Sequence, residues 1–139
     1  MNTIQFIIYG EPTAQGRPRF STRGGFVKAY DPDKSRSFKS LVKEVAQLHR
    51  PEKLIEGPVN MAVKIFRGIP KSWSHKKQAA AVAGTIRPIS KPDLSNYTKL
   101  LEDAINTVIL RDDSQVVSFD GSGKWYAAIP RAEIIITEL

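Results

Sequence analysis

Residues 91–115, KPDLSNYTKLLEDAINTVILRDDSQ, constrain this chain more than any other stretch. They hold five of its fourteen acidic residues and read as one amphipathic helix followed by an acidic turn. Pro92 disfavours the helical region for the residue before it, so the helix is expected to begin near Asp93. At about 100° per residue, Leu94, Tyr97, Leu101, Ala104, Ile105 and Val108 share one arc, the expected core face. Asp93, Asn96, Lys99 and Asp103 share the neighbouring arc. Asp112 and Asp113 follow, just before a strand expected near Gln115.

Carboxylates gathered from a helix start and a strand start suit a hard cation. Magnesium takes oxygen ligands and usually keeps only one or two carboxylates beside water and phosphate. A lysine on the same stripe can hold a phosphate. The same residues also suit a plain structural role, Asp93 as a helix N-cap and Asp112-Asp113 as a polar turn. Periodicity alone leaves both open.

The run Lys-Pro-Asp-Leu-Ser-Asn-Tyr-Thr-Lys at 91–99 and the run Asp-Asp-Ser-Gln-Val-Val from Asp112 resemble the core signature of the RusA-type Holliday junction resolvases. These are small endodeoxyribonucleases, often encoded by phages and prophages. The resemblance maps Asp93 to the first aspartate of an Asp-x-Asp-Asn pattern, Asn96 to its asparagine, Lys99 to the following lysine, and Asp112 and Asp113 to the acidic pair. Ser95 departs from the pattern, standing where many members carry a second aspartate.

The resemblance implies a metal-dependent endonuclease that resolves four-way DNA junctions by paired nicks, in recombination and repair. Magnesium is the expected ion, with manganese able to substitute. Asp93 and Asp113 are the first expected ligands, with Asp112 beside them. Lys99 would hold the scissile phosphate, and Ser95, Asn96 and Asp103 would support the site. Paired nicks imply a homodimer. The missing second aspartate leaves room for a junction-binding protein without catalysis, and the same metal site would also serve a broader flap or fork nuclease.

Charge is spread unevenly over the 139 residues. Residues 1–92 carry 17 Lys/Arg against 6 Asp/Glu, and residues 93–139 carry 4 against 8, for a net +7. A basic body draws in phosphates over distance, and a local acidic cluster can hold a cation. The absence of cysteine excludes disulfides and thiolate zinc sites. The first residues lack the pattern of a signal peptide, and no apolar run approaches the ~20 residues of a membrane helix. A soluble cytoplasmic protein is expected.

In chain order, residues 3–9 read as a strand and residues 10–25 as a Gly/Pro-rich loop. That loop carries Arg17, Arg19 and Arg23 around Phe20, a composition suited to phosphate and base contact. Residues 26–30 are expected to form a short strand pairing back on the first. Asp31 and Pro32 would open a helix with Phe38, Leu41, Val42, Val45 and Leu48 inward, and residues 59–66 alternate as a strand. Ser74 would cap a short helix ended by Gly84. Lys71, His75, Lys76 and Lys77 crowd its start against the helix dipole, a conflict that a phosphate partner relieves. With Lys91 they complete the expected DNA-binding residues. Trp73 suits either a core anchor or that surface, and His49 is expected to be structural or exposed. Strands over 115–119, 124–129 and 132–138 follow, the last central because of Ile134–Ile136. The expected fold is α+β: one domain over 1–139, a mixed β-sheet with helices packed on it, in the order βαβααβββ.

Overall fold

The computed structural model describes residues 2–14, 19–21, 28–30 and 33–139, with side chains described for 2–14 and 36–139. Its elements are β1 (Thr3–Tyr9), β2 (Arg19–Ser21), β3 (Lys28–Tyr30), α1 (Asp33–Leu48), β4 (Val59–Gly68), α2 (His75–Val82), α3 (Leu94–Ile105), β5 (Val116–Ser118), β6 (Gly123–Ala127) and β7 (Arg131–Glu138). A short 3₁₀ helix, Asp113–Gln115, joins α3 to β5. The α+β reading holds: one mixed five-stranded sheet carries the helices.

Strand β7 lies between β1 and β4, antiparallel to both. Its central place follows from Ile134 and Ile136, which are fully buried. The other edge of β4 is shared. Near its start it pairs in parallel with β5, and near its end with β6. Between the two pairings side chains supply the missing partners. Asn60 Oδ1 accepts from the Asp120 amide at 2.8 Å and from the Ser118 hydroxyl at 2.6 Å. Ser122 Oγ accepts from the Val63 amide at 2.9 Å. Backbone groups left by one strand before the next begins are thus satisfied.

One sheet face forms the core. Phe6 and Ile8, Met61, Val63 and Ile65, and Ala132, Ile134 and Ile136 meet Phe38, Val42 and Ala46 of α1 and Tyr97, Leu100, Leu101, Ala104 and Ile105 of α3. Each large apolar side chain taken from water here contributes about 1.5–3 kcal/mol. Helix α1 departs from expectation: Leu41 and Leu48 are exposed, and Ala46 takes the inward place. The i, i+4 row Phe38–Val42–Ala46 is the one that meets the sheet and α3. His49 is exposed, with its ring stacked on Phe6, centroids 5.5 Å apart. Strand β3 pairs with β2 rather than with β1, Arg19 opposite Tyr30. Few residues separate β2 from β3, so closing that ribbon loses little chain entropy. Asp31 and Pro32, expected to open α1, lie outside the described residues.

Helix α3 stops at Ile105, before Val108. Asn106 turns to extended backbone and Thr107 takes φ 65°, with the Thr107 amide donating to Leu110 O at 2.8 Å. A β-branched residue is disfavoured at positive φ. Thr107→Gly is therefore expected to stabilise the protein by about 0.5–1 kcal/mol, the relief of left-handed strain exceeding the added freedom of the unfolded chain. Chemical denaturation measures this, and a lower midpoint for the variant would show that the Thr107 side chain contributes packing worth more than the strain.

Candidate active site

Asp93 sits at the N-cap position of α3, in extended backbone, yet its side chain makes no capping hydrogen bond. The first-turn amides of Asn96 and Tyr97 bond the Asp93 backbone carbonyl instead, at 3.1 and 3.3 Å. The exposed carboxylate is thus left outside the helix hydrogen-bonding scheme. The loop entering it is held by two cations. Lys124 Nζ donates to Ser90 O and Pro92 O at 3.1 and 3.0 Å, and Arg67 Nη1 to Ser90 Oγ and Lys91 O at 3.0 and 3.3 Å.

Ser95, Asn96 and Lys99 lie on the exposed side of the same helix. Ser95 borders a shallow groove of about 250 Å³ with Leu94, Thr98, Phe119 and Ser122. On the core side, Tyr97 is buried. Burial pushes its hydroxyl pKa up, with nearby Arg67 lowering it and Glu11 raising it. Glu11 also accepts from the Gly68 amide at 2.9 Å, so the end of β4 braces both the chain after β1 and the approach to α3.

Acid gathers toward the other end of α3. Glu102 is half-buried, and its pKa is raised by burial, then by the charges of Asp113 and Asp103, with Lys99 partly offsetting them. The last turn of α3 carries no basic residue, and negative charge there opposes the helix dipole. Asp103 is paired with Lys39 of α1 at 3.5 Å. Asp112 takes the structural role open to it. It caps the 3₁₀ helix in a reciprocal box with Gln115, and Ser114 donates to its Oδ2 from both amide and hydroxyl. The hydroxyl bond, then the amide bond, lowers the Asp112 pKa. Gln115 locks this turn in place by donating to Ile55 O and Gly57 O at 2.7 and 2.9 Å.

The raised pKa of Glu102 has a definite sign. An acid whose pKa is higher in the folded state favours folding at low pH, and that contribution is lost as pH rises through the folded value. Glu102→Gln is expected to melt above the unsubstituted protein at neutral pH in EDTA, the difference vanishing below about pH 4. Thermal melts across that range test it, and a lower melting point for the variant at neutral pH would contradict the crowding.

The expected DNA-contact residues divide. Arg17 and Arg23 lie outside the described residues, as does the side chain of Arg19. Lys71 and His75 line a groove of about 490 Å³ beside α2, with Ile69, Gln78, Ala79, Val82 and Ala128. Ser74 caps α2, accepting from the Lys77 amide at 3.2 Å, and Gly84 follows the helix with φ 83°. No acid offsets Lys76 and Lys77 in the first turn. Lys77 Nζ lies 4.1 Å from the Trp73 ring centroid, and Trp73 meets Tyr126 edge-on. Trp73 is therefore a half-buried platform rather than a core anchor. Lys91 is exposed beside Asp93.

Among the described residues, no group of three or more histidines or acids is close enough to hold a metal. The donors are nonetheless hard oxygens: Asp93, without a capping bond, and the crowded Glu102 and Asp113. Oxygen donors of this type are what magnesium takes, with one or two carboxylates to an ion. Glu102, Arg67, Lys124 and the bracing amide of Gln115 were not singled out from the sequence. Glu102 follows Ser95 and Lys99 at i+7 and i+3, a spacing that would have put it on their face. Arg67 and Lys124 reach the loop before Asp93 only through the tertiary fold and leave no local signal.

A basic α+β domain with an exposed carboxylate at the start of one helix and half-buried acids toward its end is equipped to handle phosphodiesters. Residues 9–137 match the model of the family described as Endodeoxyribonuclease RusA, and the chain belongs to that family. It is also 51% identical over 141 residues to the uncharacterized protein YqaN of Bacillus subtilis (strain 168), covering 100% of this chain and 99% of that protein. No helix among the described residues is long and apolar enough to cross a membrane.

Proposed function

We propose that this chain is a metal-dependent, structure-selective endonuclease that resolves four-way DNA junctions by paired nicks. Membership of the endodeoxyribonuclease family supports the reaction class. The observation that carries the site is the Asp93 carboxylate, held at the start of α3 without a capping bond.

In this reading Asp93 and Asp113 would hold magnesium, or manganese in its place, with Asp112 alongside. The cation's part is to acidify water and to draw charge off the scissile phosphate. Lys99, exposed on the same helix, holds that phosphate and stabilises the charge that develops on it. Asn96 would orient a ligand or the DNA backbone, Ser95 borders the adjoining groove, and Asp103 is steadied by Lys39. Lys71, His75, Lys76, Lys77 and Lys91, with Arg17, Arg19 and Arg23, supply the basic surface for branched DNA. A homodimer would match the two-fold symmetry of the junction and supply two sites for two nicks.

The deciding experiment is cleavage of a labelled synthetic four-way junction in magnesium, with linear duplex as control and the mass in solution measured alongside. Symmetric nicks on the junction alone by a dimer support the proposal. Nicks on flaps and forks as well would assign a broader nuclease. A second reading, junction binding without catalysis, draws on Ser95 and on the absence of a three-carboxylate group among the described residues. Tight junction binding with no nicks in magnesium or manganese would select it.

A further inference from the structure

Three consecutive carbonyls, those of Ser90, Lys91 and Pro92, precede Asp93 and receive side-chain donors from the sheet. Lys124 has three N–H donors, and two of them go to Ser90 O and Pro92 O. Arg67 takes Lys91 O and the Ser90 hydroxyl. Pro92 O belongs to the peptide that enters Asp93, so the Lys124 contact acts on the backbone next to the carboxylate.

The two cations stand on neighbouring strands. Ile65 pairs with Lys124 and Arg67 with Tyr126 in the β4–β6 register, which sets Arg67 and Lys124 diagonally on the face that carries Ile65. Both are half-buried, and charge-assisted hydrogen bonds there are stronger than neutral ones. The amide side of this segment is fastened as well, through Asn96 and Tyr97 to Asp93 O. The segment from Ser90 to Tyr97 is therefore fixed from the sheet at one end and by its own helix at the other.

We propose that Lys124 and Arg67 are positioning residues for Asp93, clamping the carbonyls of the loop before it so that the backbone carrying its carboxylate is fixed in place. The clamp rests on the reading of Asp93 as a ligand only for its effect on metal and nicking. The geometry that it imposes is measurable without either.

The test uses the full chain with Lys124→Met, which keeps the apolar stem and removes the donors, and Arg67→Gln as an independent second variant. In EDTA, the amides of Asn96 and Tyr97 are expected to exchange hydrogen about 10-fold faster or more in each variant, while amides of the β4–β7 ladder exchange as before. Manganese titration followed by the resonance of the free ion is expected to show half-saturation raised by about 10–100-fold, with junction binding in EDTA unchanged. Unchanged exchange at Asn96 and Tyr97, or a uniform acceleration through β4 and β7, would overturn the clamp, since the first denies the hold and the second reduces it to general stability. Local acceleration with unchanged manganese binding would overturn its link to Asp93 as a ligand. If the unsubstituted protein neither takes manganese nor nicks junctions, the reading of Asp93 fails, and the exchange result still decides whether the clamp exists.

Discussion

Asp93→Asn is expected to abolish junction nicking while leaving the melting temperature where it was. Asparagine and aspartate are equally good N-cap residues, and the Asp93 side chain makes no capping bond that could be lost. The replacement removes negative charge at nearly constant shape. Losing a group that merely supports a metal ligand costs roughly 10–100-fold in activity, so loss of a ligand itself should exceed that. Single-turnover nicking, paired with a thermal melt and with junction binding in EDTA, separates the roles. Wild-type nicking by the variant would exclude Asp93 from the site. A parallel fall in nicking and melting temperature would make Asp93 a structural cap.

Leu101→Ala carries the largest expected effect on stability, a loss of about 2–5 kcal/mol. Leu101 is fully buried on α3 among side chains from the sheet and α1. Truncating it removes apolar contact and leaves a cavity that close-packed neighbours fill only partly. Against a usual total of about 5–15 kcal/mol, that is a large share. Urea denaturation measures it, with Leu94→Ala for comparison. Leu94 is only half-buried, so an equal loss at both positions would contradict the packing described for this face.

Local pattern made most of the architecture readable. The alternation in β4, the isoleucine run of β7, and the Ser74 and Gly84 signals around α2 each carry their structure in neighbouring residues. The inward face of α3 was readable for the same reason, from Tyr97 to Ile105. Where two faces of one helix were both apolar, periodicity was less decisive, and Leu41 and Leu48 proved to be outside. The end of α3 was misplaced because Val108 continues the apolar pattern, whereas Thr107 adopts a backbone that its side chain disfavours. In the candidate site, Asp93 and Asp113 were visible as motif residues. The division of labour among the acids was not. Asp112 is engaged by Ser114 and Gln115, Asp103 by Lys39, and Glu102 is crowded, and each of these facts depends on what stands opposite. The hold on the loop before Asp93 comes from Arg67 and Lys124, far away in sequence and adjacent only once β4 and β6 pair.

Helix α3 also sets a length. From Asp93 to Glu102 is nine residues, about 13.5 Å of rise at 1.5 Å each. Magnesium sits about 2.0–2.1 Å from its oxygen ligands, so the helix start and Glu102 are distinct places on the surface. The charges that raise the Glu102 pKa, those of Asp113 and Asp103, accordingly do not include Asp93. Charge at the two ends of the helix is thus felt separately, and a change at Asp93 is expected to leave the crowding at Glu102 as it was.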